Sequence, residues 1–507
     1  GNQIFQNMVK NESLITPYFG ARVTHIEKRD KGWKIEVSAL EKKFILQAKI
    51  VIDATELGDI AAQVGVPYDV GMDSRVTHGE DIAPEAENDV IQDLTYVMIL
   101  EDYGRDMTIE KPEAYDPELF YCSSESDNCQ KESMNRTLWP KDSLLSYGRL
   151  PNGKVMINWP INGNDYYVNA VEQTPEERTK SFEKAKLKSL QFLYYLQTEL
   201  GFNTYGLSQR EFPTEDGFPL IPYHRESRRI KGLTTLTVNH IAQPYEQLQP
   251  LYRTGIAVGD YPVDHHHESH PNAAQLPELH FYPVPSYNLP MGCLIPQNIE
   301  NFIVAEKSIS VTNIVNGTTR LQPVVIQIGQ AAGVMAALSI RENISPAKLE
   351  VRKVQSQLLE AGGYLLPYLD VPKDHPRFKV YQRIGATGIL KGTGMNVGWE
   401  NQTWFFPEKP ITNSDFNDAK RVLSQYLSFD TPESLKYQDL IPWFLQTYKT
   451  FHPKRSQHYG SNKDLLEKIL DIEDTPKGIM PRGDFALLSD CLFDPFHKLS
   501  VDLYGNP

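Results

Sequence analysis

The sequence is poor in cysteine, has no excess of positive charge and lacks a very long apolar run. Only four of its 507 residues are cysteine and none forms a CxxC pair, so the spacing of a zinc knuckle or a thioredoxin-type motif is missing. The formal net charge is −14, whereas a nucleic-acid-binding surface must be basic. No apolar run reaches the roughly 18–20 residues that span a bilayer. We therefore expect neither a nucleic-acid partner nor a transmembrane segment.

Length and composition are those of a globular protein with more than one domain. Hydrophobic residues make up 40% and charged residues 23% of the chain, and the length predicts two or three domains. Cys122 and Cys129 lie close together in YCSSESDNC, where they form either a local disulfide or two free thiols. The chain starts at Gly1 instead of Met, so we expect the natural N-terminus to lie further upstream. The compartment cannot be read directly, and we favour the periplasm or cell envelope.

Strand patterns dominate the beginning of the chain. The segments ARVTHIEK, GWKIEVSAL and KKFILQA alternate apolar and polar residues, which predicts three strands with polar turns. KIVIDAT, at residues 49–55, is almost continuously apolar, as buried parallel strands are. A short helix that stops at Gly65 follows it. NFIVAEK, at residues 301–307, predicts a second buried strand.

Two long helices are also predicted. Thr174, Pro175 and Glu177 have the residue types and spacing of a capping box with proline at the first helical position, and Gly201 can end that helix. QPVVIQIGQAAGVMAALSIR, at residues 322–341, is apolar with small residues on its early turns. Small residues there permit the close approach of another backbone or a flat ligand.

Three separate segments combine strand ends with a helix start. They are VIDATELGD at 51–59, NFIVAEK at 301–307 and TRLQP leading into IGQAAG at 319–333. Ligands of open α/β sheets collect outside the carboxyl ends of strands, and a helix N-terminus attracts an electron-rich ligand edge. VIDATELGDIAAQVG and NFIVAEKSISVTNIVNGTTRLQPVVIQIGQAAG resemble the FAD-dependent oxidoreductase family of the glutathione-reductase-type fold. GIAVGDYPVDHH and PYHRESRRIKG extend this resemblance over roughly residues 10–365.

The resemblance implies an α/β fold class, with an incomplete Rossmann-like, three-layer FAD-binding domain. Its two parts would be residues 1–75 and 285–365, and residues 76–284 would form an inserted α+β substrate domain. A composition break near residues 365–375 separates a mainly helical C-terminal domain, residues 366–507. Some chains of this kind carry the label xanthan lyase, which the motifs do not explain.

The resemblance also implies FAD as the cofactor and assigns roles to individual residues. The strand end at residues 53–55 would pass the nucleotide side of the flavin, Glu306 would hold the ribityl hydroxyls, and the helix start at 320–333 would face the isoalloxazine ring. The residues implied to bind the cofactor are Asp53, Ala54, Thr55, Glu306, Arg320, Gln322, Pro323, Gly329 and Gly333.

The chain departs from the family pattern at two places. Glu56 stands where the family has the first glycine after the Ala-Thr pair. The family also begins with a strand, a GxGxxG turn and a helix, and we find no such glycine pattern near the start of this chain. We therefore expect tight FAD binding to require residues upstream of Gly1, and a preparation of this chain alone to be colourless.

Histidines supply the candidate catalytic groups. His265, His266 and His267 belong to a segment similar to the family's GDYP-D-H pattern, and we predict that one of them accepts the proton of a substrate hydroxyl. His266 and His270 have an i, i+4 spacing that would pair metal ligands on a helix. Asp260, Asp264 and His280 could add to such a site. We favour the proton-transfer role and predict no metal.

Candidate substrate-binding residues are less distinctive. Among Arg225, Arg228 and Arg229 we favour Arg228 as a clamp for an anion, against a solvated basic turn. Trp159 could stack on a sugar ring with Tyr166, or could simply belong to a hairpin. Tyr261 completes the predicted substrate-binding set.

The C-terminal part resembles an S-layer-homology module. ITNSDFNDAKRVL at 411–423 and MPRGDFALLSDCL at 480–492 each place a polar start before an amphipathic helix. Such modules imply docking, whereas the simpler interpretation is a helical cap on the catalytic body. The sequence as a whole leaves two hypotheses for the function. The first is a flavoenzyme that removes hydride from a small, hydroxylated or sugar-like substrate. The second is a catalytically inactive binding or envelope-associated protein. A polysaccharide lyase is neither indicated nor excluded.

Overall fold

A computed structural model of the chain describes residues 2–40, 42–129, 138–158, 160, 162–397, 400–452 and 459–507. Helices and strands are mixed along the chain, in agreement with the expected α/β class. The strands are β1 Ala21–Arg29, β2 Gly32–Ala39, β3 Lys42–Ala48, β4 Val51–Asp53, β5 Tyr68–Asp69, β6 Leu94–Thr95, β7 Met98–Asp102, β8 Val155–Ile157, β9 Asp165–Tyr166, β10 Tyr205–Leu207, β11 Arg229–Ile230, β12 Gly255–Gly259, β13 Tyr287–Pro290, β14 Phe302–Val304, β15 Thr393–Val397 and β16 Glu400–Trp404.

The helices range from single turns to a helix of 24 residues. They are α1 Asn2–Asn11, α2 Asp59–Gln63, α3 Arg75–His78, α4 Lys141–Tyr147, α5 Pro175–Thr198, α6 Val238–Ala242, α7 Asn313–Thr319, α8 Gln322–Glu342, α9 Val351–Glu360, α10 Phe378–Thr387, α11 Asn413–Leu423, α12 Tyr437–Phe451, α13 Asn462–Leu465, α14 Arg482–Phe493 and α15 Pro495–Lys498.

The three strands predicted at the start of the chain form an antiparallel meander, β1–β2–β3. Trp33 of β2 anchors this meander to the rest of the protein. Its indole N–H donates to the carbonyl of Asn301 (2.8 Å), and its ring packs edge-on against Phe302. Aromatic burial at this point fixes the meander beside β14.

The two predicted buried strands pair with each other. β4 and β14 run parallel, with Val51 opposite Phe302 and Asp53 opposite Val304. Each strand has only three residues, and the described part of the chain adds no third strand to this sheet. β14 is fully buried, but the side chain of Ile52 in β4 is 39% exposed. Of the parallel sheet that a three-layer FAD-binding domain would contain, the described residues form one parallel pair of strands.

The region between these strands has its own hydrophobic core. β10, β7 and β8 form an antiparallel sheet, and α5 packs above it. Thr174 and Glu177 form the predicted capping box, Pro175 occupies the first turn, and Gly201 follows the helix with a φ of 81°. Cys122 and Cys129 form a disulfide in this region, so the first of the two interpretations of that pair is confirmed.

Helix α8 is the long apolar helix predicted at residues 322–341. Its buried side contributes Val324, Ile328, Ala331, Ala332, Met335 and Leu338 to the main core. Among the described residues it is the one helix that is long and apolar enough to cross a membrane, a test that core helices of other proteins also pass. Gln327 and Gln330 interrupt its apolar residues, so it is not an unbroken apolar run in the sequence.

The C-terminal part, from α10 onwards, shares the core of the preceding part. One contiguous cluster of buried residues extends from Leu236 to Phe496. Arg352 of α9 donates across the junction to the carbonyls of Arg253 (3.1 Å) and Ala386 (3.2 Å). The helices predicted at 411–423 and 480–492 are present as α11 and α14.

Because this core is continuous, we predict that the C-terminal part unfolds together with the rest of it. Phe444 is fully buried and contacts the rings of Phe485 and Phe493. Phe444→Ala should lower the free energy of unfolding by about 3–5 kcal/mol through the cavity that it leaves. Calorimetry should then show the main transition shifted as a whole, and a separate early transition confined to residues beyond 366 would contradict the prediction.

Candidate functional site

The three segments singled out in the sequence meet at the carboxyl ends of β4 and β14. The amide of Ala305 donates to the carbonyl of Asp53 (2.8 Å), which brings residues 53–59 beside residues 305–308. Helix α8 packs against β14 and the 306–308 turn. Segments separated by about 250 residues therefore share one edge of the fold, as the sequence predicted.

The carboxylate of Asp53 organises the turn after β4. It accepts hydrogen bonds from the amide and hydroxyl of Thr55 (2.9 and 2.7 Å) and from the amide of Ala61 (2.6 Å). Asp53 is 2% exposed, so its side chain holds the turn from inside. Ala54 and Thr55 form the surface of this turn, and the Thr55 hydroxyl in turn accepts from the amide of Asp59 (2.9 Å).

A buried lysine joins the two strand ends. The Nζ atom of Lys307 lies 2.8 Å from a carboxylate oxygen of Glu56 and 2.8 Å from one of Glu306. The lysine side chain is 1% exposed, and Glu306 adopts a φ of 64°. Burial opposes the charge of Lys307, but the two carboxylates outweigh it and raise its pKa. Glu56, which stands in place of the family glycine, therefore neutralises part of the buried charge of Lys307. The sequence motifs did not indicate that this lysine would be buried.

The start of α8 presents an open surface. Gln322 and Pro323 are exposed, and Leu321 at the helix N-cap provides no side-chain hydrogen bond. Gly329 and Gly333 continue this exposed face, and a methyl group added to either glycine would meet no atom within 4 Å. The exposed face of α8 therefore has two positions without a side chain, Gly329 and Gly333, on the third and fourth turns, and it also carries Gln322, Ile326 and Gln330.

Arg320 connects this helix start to a buried polar network. It immediately precedes α8 and is 3% exposed. Its guanidinium donates to the hydroxyl of Tyr223 (2.6 Å) and to a carboxylate oxygen of Asp264 (3.2 Å). Its Nε atom is buried and has no hydrogen-bond partner among the described residues. Tyr223 is a residue that sequence reasoning missed, because nothing distinguishes it locally from the other tyrosines.

His266 lies at the centre of this network, between two carboxylates. Its Nδ1 atom is 3.0 Å from Asp165 and its Nε2 atom is 3.3 Å from Asp264. Burial and the charge of Arg225 lower the pKa of His266, but the two carboxylates outweigh them and raise it to about 9. At neutral pH His266 is therefore a cation that donates two hydrogen bonds.

The neighbouring histidines have the opposite character. The Nδ1 atom of His265 and the Nε2 atom of His267 are 3.2 Å apart, and Nε2 of His265 lies 3.2 Å from the carbonyl of Ile314. Burial and, to a smaller extent, the charge of His266 lower the pKa of His267 to about 3. Burial likewise holds the pKa of His265 well below its ordinary value. Both rings are neutral near pH 7.

The remaining members of the predicted cluster do not assemble into a metal site. Residues 265–270 are not helical, so the i, i+4 pairing of His266 with His270 on a helix is wrong. His280 instead bonds to Asp264 (3.1 Å), and His270 packs against Tyr167. Within the described ranges, no group of three or more His, Cys, Asp or Glu side chains is arranged to hold a metal ion.

The three arginines predicted as anion clamps are buried within the protein. Arg228 donates to the carbonyl of Leu57 (2.8 Å) and to the carboxylate of Asp59 (2.8 Å). Arg225 pairs with Asp165, and Arg229 pairs with Glu226 and Asp73. Their guanidinium groups hold loops together, and the interpretation of this segment as a solvated basic turn is wrong.

The predicted substrate-side aromatic residues are placed as follows. Trp159 lies outside the described residues. Tyr166 belongs to β9, which pairs with β6, and Tyr166 is half-buried. The hydroxyl of Tyr261 donates to Asp264 (3.2 Å), which attaches it to the histidine network.

Parallel strand ends beside a helix start, with glycines on its open face, define a site for a flat, electron-rich ligand. A family model described as FAD dependent oxidoreductase matches residues 1–358, and the chain belongs to this family. Neither the curated proteins nor the solved structures that were compared with the chain gave a match.

Membership of this family implies FAD as the cofactor. Two observations fit such a group. A side chain at Gly329 or Gly333 would meet no other atom of the protein, and the buried Nε–H group of Arg320 is a donor without a partner among the described residues. The carboxylate of Glu56, at the position of the family glycine, accepts a hydrogen bond from Lys307.

The charge state of His266 predicts how stability depends on pH. The ordinary pKa of histidine is 6.5, and the folded protein raises that of His266 to about 9. Its contribution to stability is therefore fully present below pH 6.5 and is lost as the pH rises through 9. Between about pH 6.5 and 9 the free energy of unfolding should fall, by roughly 1–3 kcal/mol.

Urea unfolding at several pH values measures this dependence, and the matched variant is His266→Gln. The variant should be less stable than the original protein at pH 7, and the decline between about pH 6.5 and 9 should be smaller in it. Burial and the charge of Asp165 raise the pKa of Asp93 to about 8, so Asp93 titrates within the same range and the two proteins are compared at each pH. An unchanged decline in His266→Gln would show that another group titrates.

Proposed function

We propose that this protein is an FAD-dependent oxidoreductase that removes hydride from a C–H bond of a small, hydroxylated or sugar-like substrate. One observation carries the proposal: a continuous polar chain runs from His266 through Asp264 to Arg320, the residue that lies two positions before the first residue of α8. A cluster of titratable side chains that is connected by hydrogen bonds to the proposed cofactor surface has no evident role in a protein that only binds a ligand. Family membership also favours the enzyme over a catalytically inactive scaffold.

The cofactor would lie against the strand ends and the first turns of α8. When bound, FAD supplies the hydride acceptor. The helix start would orient the ring and stabilise negative charge along its edge, aided by the cationic Arg320. The residues that we assign to this surface are Asp53, Ala54, Thr55, Glu306, Arg320, Gln322, Pro323, Gly329 and Gly333.

The histidines would divide the work of proton transfer. His266 is fixed as a cation between Asp165 and Asp264, so it supplies positive charge and does not serve as the base. Of the two neutral histidines, His267 has a ring nitrogen, Nδ1, without a hydrogen-bond partner among the described residues, so it would accept a hydrogen bond from the substrate hydroxyl, and its low pKa makes it a weak proton acceptor. Tyr261, bonded to Asp264, would help to position that hydroxyl. Trp159 remains assigned to the substrate side on sequence grounds alone.

Finer assignments belong to the same proposal. The DAT and GQAAG motifs support placement in the glutathione-reductase-type subfamily. The capping box of Thr412 with Asp415 at the start of α11 supports the S-layer-homology-like interpretation of the C-terminal part, and with it docking at the cell envelope. The family model ends at residue 358, before this part begins.

A substitution at Gly329 separates the effects of cofactor binding from those on folding. The position is helical and open, so Gly329→Ala should raise the stability of the cofactor-free protein by about 0.5–1 kcal/mol. The same methyl group would project into the space that we assign to FAD. We therefore expect the variant to be more resistant to urea without FAD, yet to retain less FAD and to show weaker flavin absorbance and lower turnover.

The matched control adds bulk further along the same helix. Ala337 is exposed one turn beyond Gly333 and two turns beyond Gly329, so Ala337→Leu should leave FAD content unchanged. Equal FAD content and equal turnover in Gly329→Ala and the original protein would refute the placement of the cofactor on this face.

A further inference from the structure

Tyr223 belongs to the buried polar network, but the reaction proposed above gives it no role. Its backbone pairs with that of Thr95 through two N–H···O bonds of 2.8 and 3.1 Å. Its hydroxyl accepts a hydrogen bond from the guanidinium of Arg320 (2.6 Å), and Tyr223 as a whole is half-buried. Arg320 comes two positions before α8, so Tyr223 lies at the edge of the proposed cofactor surface.

Positive charge acts on the Tyr223 ring from several elements. The guanidinium carbon of Arg225 lies 5.3 Å from the ring centroid, and Arg320 reaches the hydroxyl itself. Burial raises the pKa of the Tyr223 phenol, but the charges of Arg320, Arg225 and Lys307 outweigh it and hold this pKa below its ordinary value of 10.0. The carboxylate of Asp264 bonds to the other terminal nitrogen of Arg320 (3.2 Å). The surroundings of Tyr223 therefore favour its ionised form.

Tyr261, at the other end of this chain of hydrogen bonds, has the opposite setting. Its hydroxyl donates to the carboxylate of Asp264 (3.2 Å), and burial together with the charge of Asp264 raises its pKa. The oxygen of Tyr223 instead accepts from Arg320 and, within the described part of the chain, donates to no acceptor. Loss of the Tyr223 proton thus breaks no hydrogen bond there and frees a lone pair for a substrate hydroxyl.

The histidines leave the role of proton acceptor open. His266 is already a cation between two carboxylates, so neither of its ring nitrogens can take a further proton. Burial lowers the pKa of His267 to about 3, and burial likewise holds that of His265 well below its ordinary value. An efficient general base has a pKa near the working pH, and tyrosine is one of the side chains that serve in this role.

We propose that Tyr223 is a catalytic residue whose phenolate oxygen accepts the proton of the hydroxyl on the carbon that loses hydride. The inference rests on the proposed oxidoreductase function. The substrate O–H bond breaks, and its proton forms the O–H bond of Tyr223. The C–H bond breaks with its electron pair, the hydride passes to FAD, and the C–O single bond becomes a carbonyl. The substrate is oxidised and FAD is reduced by two electrons, while Arg320 stays charged. Hydrogen bonding to His267 orients the substrate and does not remove this proton.

The ionisation of Tyr223 can be measured without FAD or substrate. In the full chain labelled with carbon-13 at the tyrosine ζ carbon, each phenol that ionises shifts its own NMR signal. The signal that is missing from Tyr223→Phe should titrate with a midpoint below pH 10, because three cations favour the phenolate. The signal that is missing from Tyr261→Phe should still be that of a phenol at pH 10. A midpoint of Tyr223 at or above pH 10 would overturn the proposal.

The reaction itself is tested on protein loaded with FAD. The probes are glycerol, sorbitol, glucose and galactose, and the measurement is the rate at which each bleaches the flavin absorbance in the absence of oxygen. Tyr223→Phe should slow this rate by about 100-fold or more, the usual contribution of a general base. In the original protein the rate should rise with pH up to the pKa of Tyr223, because the base acts when ionised. That rise should be missing from Tyr223→Phe.

Two controls separate loss of the base from loss of structure. In Tyr223→Phe, Arg320 keeps its hydrogen bonds to Asp264, so the variant should fold and retain FAD, as its melting temperature and flavin absorbance will show. Tyr368→Phe removes a buried hydroxyl that has no partner among the described residues and lies in the core shared with the C-terminal part. This variant should keep the original rate. If Tyr223→Phe did not fold, the titration of the original protein would still decide, since no tyrosine signal titrating below pH 10 would refute the proposal.

The outcomes distinguish this inference from the function on which it rests. If a probe reduces the FAD of the original protein and of Tyr223→Phe at equal rates, the inference is wrong and the oxidoreductase function stands. A slower rate with an unchanged pH dependence would make Tyr223 a structural residue and would also overturn the inference. If the original protein binds no FAD, or none of the four probes reduces it, the proposed function fails and the inference fails with it.

Discussion

The parallel pairing of Val51–Asp53 with Phe302–Val304 is the contact on which the rest of the site depends. Only three residues of each strand take part, yet the pairing closes a loop of about 250 residues. Its entropic cost grows slowly with loop length and must be offset by burial around it. The packing of Trp33 on Phe302 and of α8 on β14 supplies that burial. With the pair in place, the Asp53 turn, the Lys307 turn and the start of α8 share one edge.

Buried charged side chains lie next to side chains of opposite charge. Lys307 is buried between Glu56 and Glu306, and His266 lies between two buried aspartates. Isolated charges would be costly in such surroundings, so each pair stabilises its own geometry and shifts the pKa values of its members. The result is one fixed cation next to two neutral histidines. Because the charge states of these three consecutive residues differ, His266 and His267 can have different roles in the proposed reaction.

The C-terminal part is packed onto the segment that carries the cofactor surface. This surface lies on α8 and the strand ends, all within the family-matched segment. One core of buried residues continues from that segment into the C-terminal part, and the buried Arg352 donates to the carbonyl of Ala386 there. The C-terminal part is therefore an integral portion of the body.

Local signals in the sequence determined the first four strands, β14, helices α2, α5, α8, α11 and α14, and the capping box of Thr174, because these depend on periodicity and short-range hydrogen bonds. The motifs also identified which strand ends would meet. Only the tertiary structure decided the charge states of the histidines and brought Tyr223 to Arg320. It likewise turned Arg228 inward onto Asp59. A pKa and the direction of a side chain depend on groups far apart in the chain, and no local pattern encodes their distances.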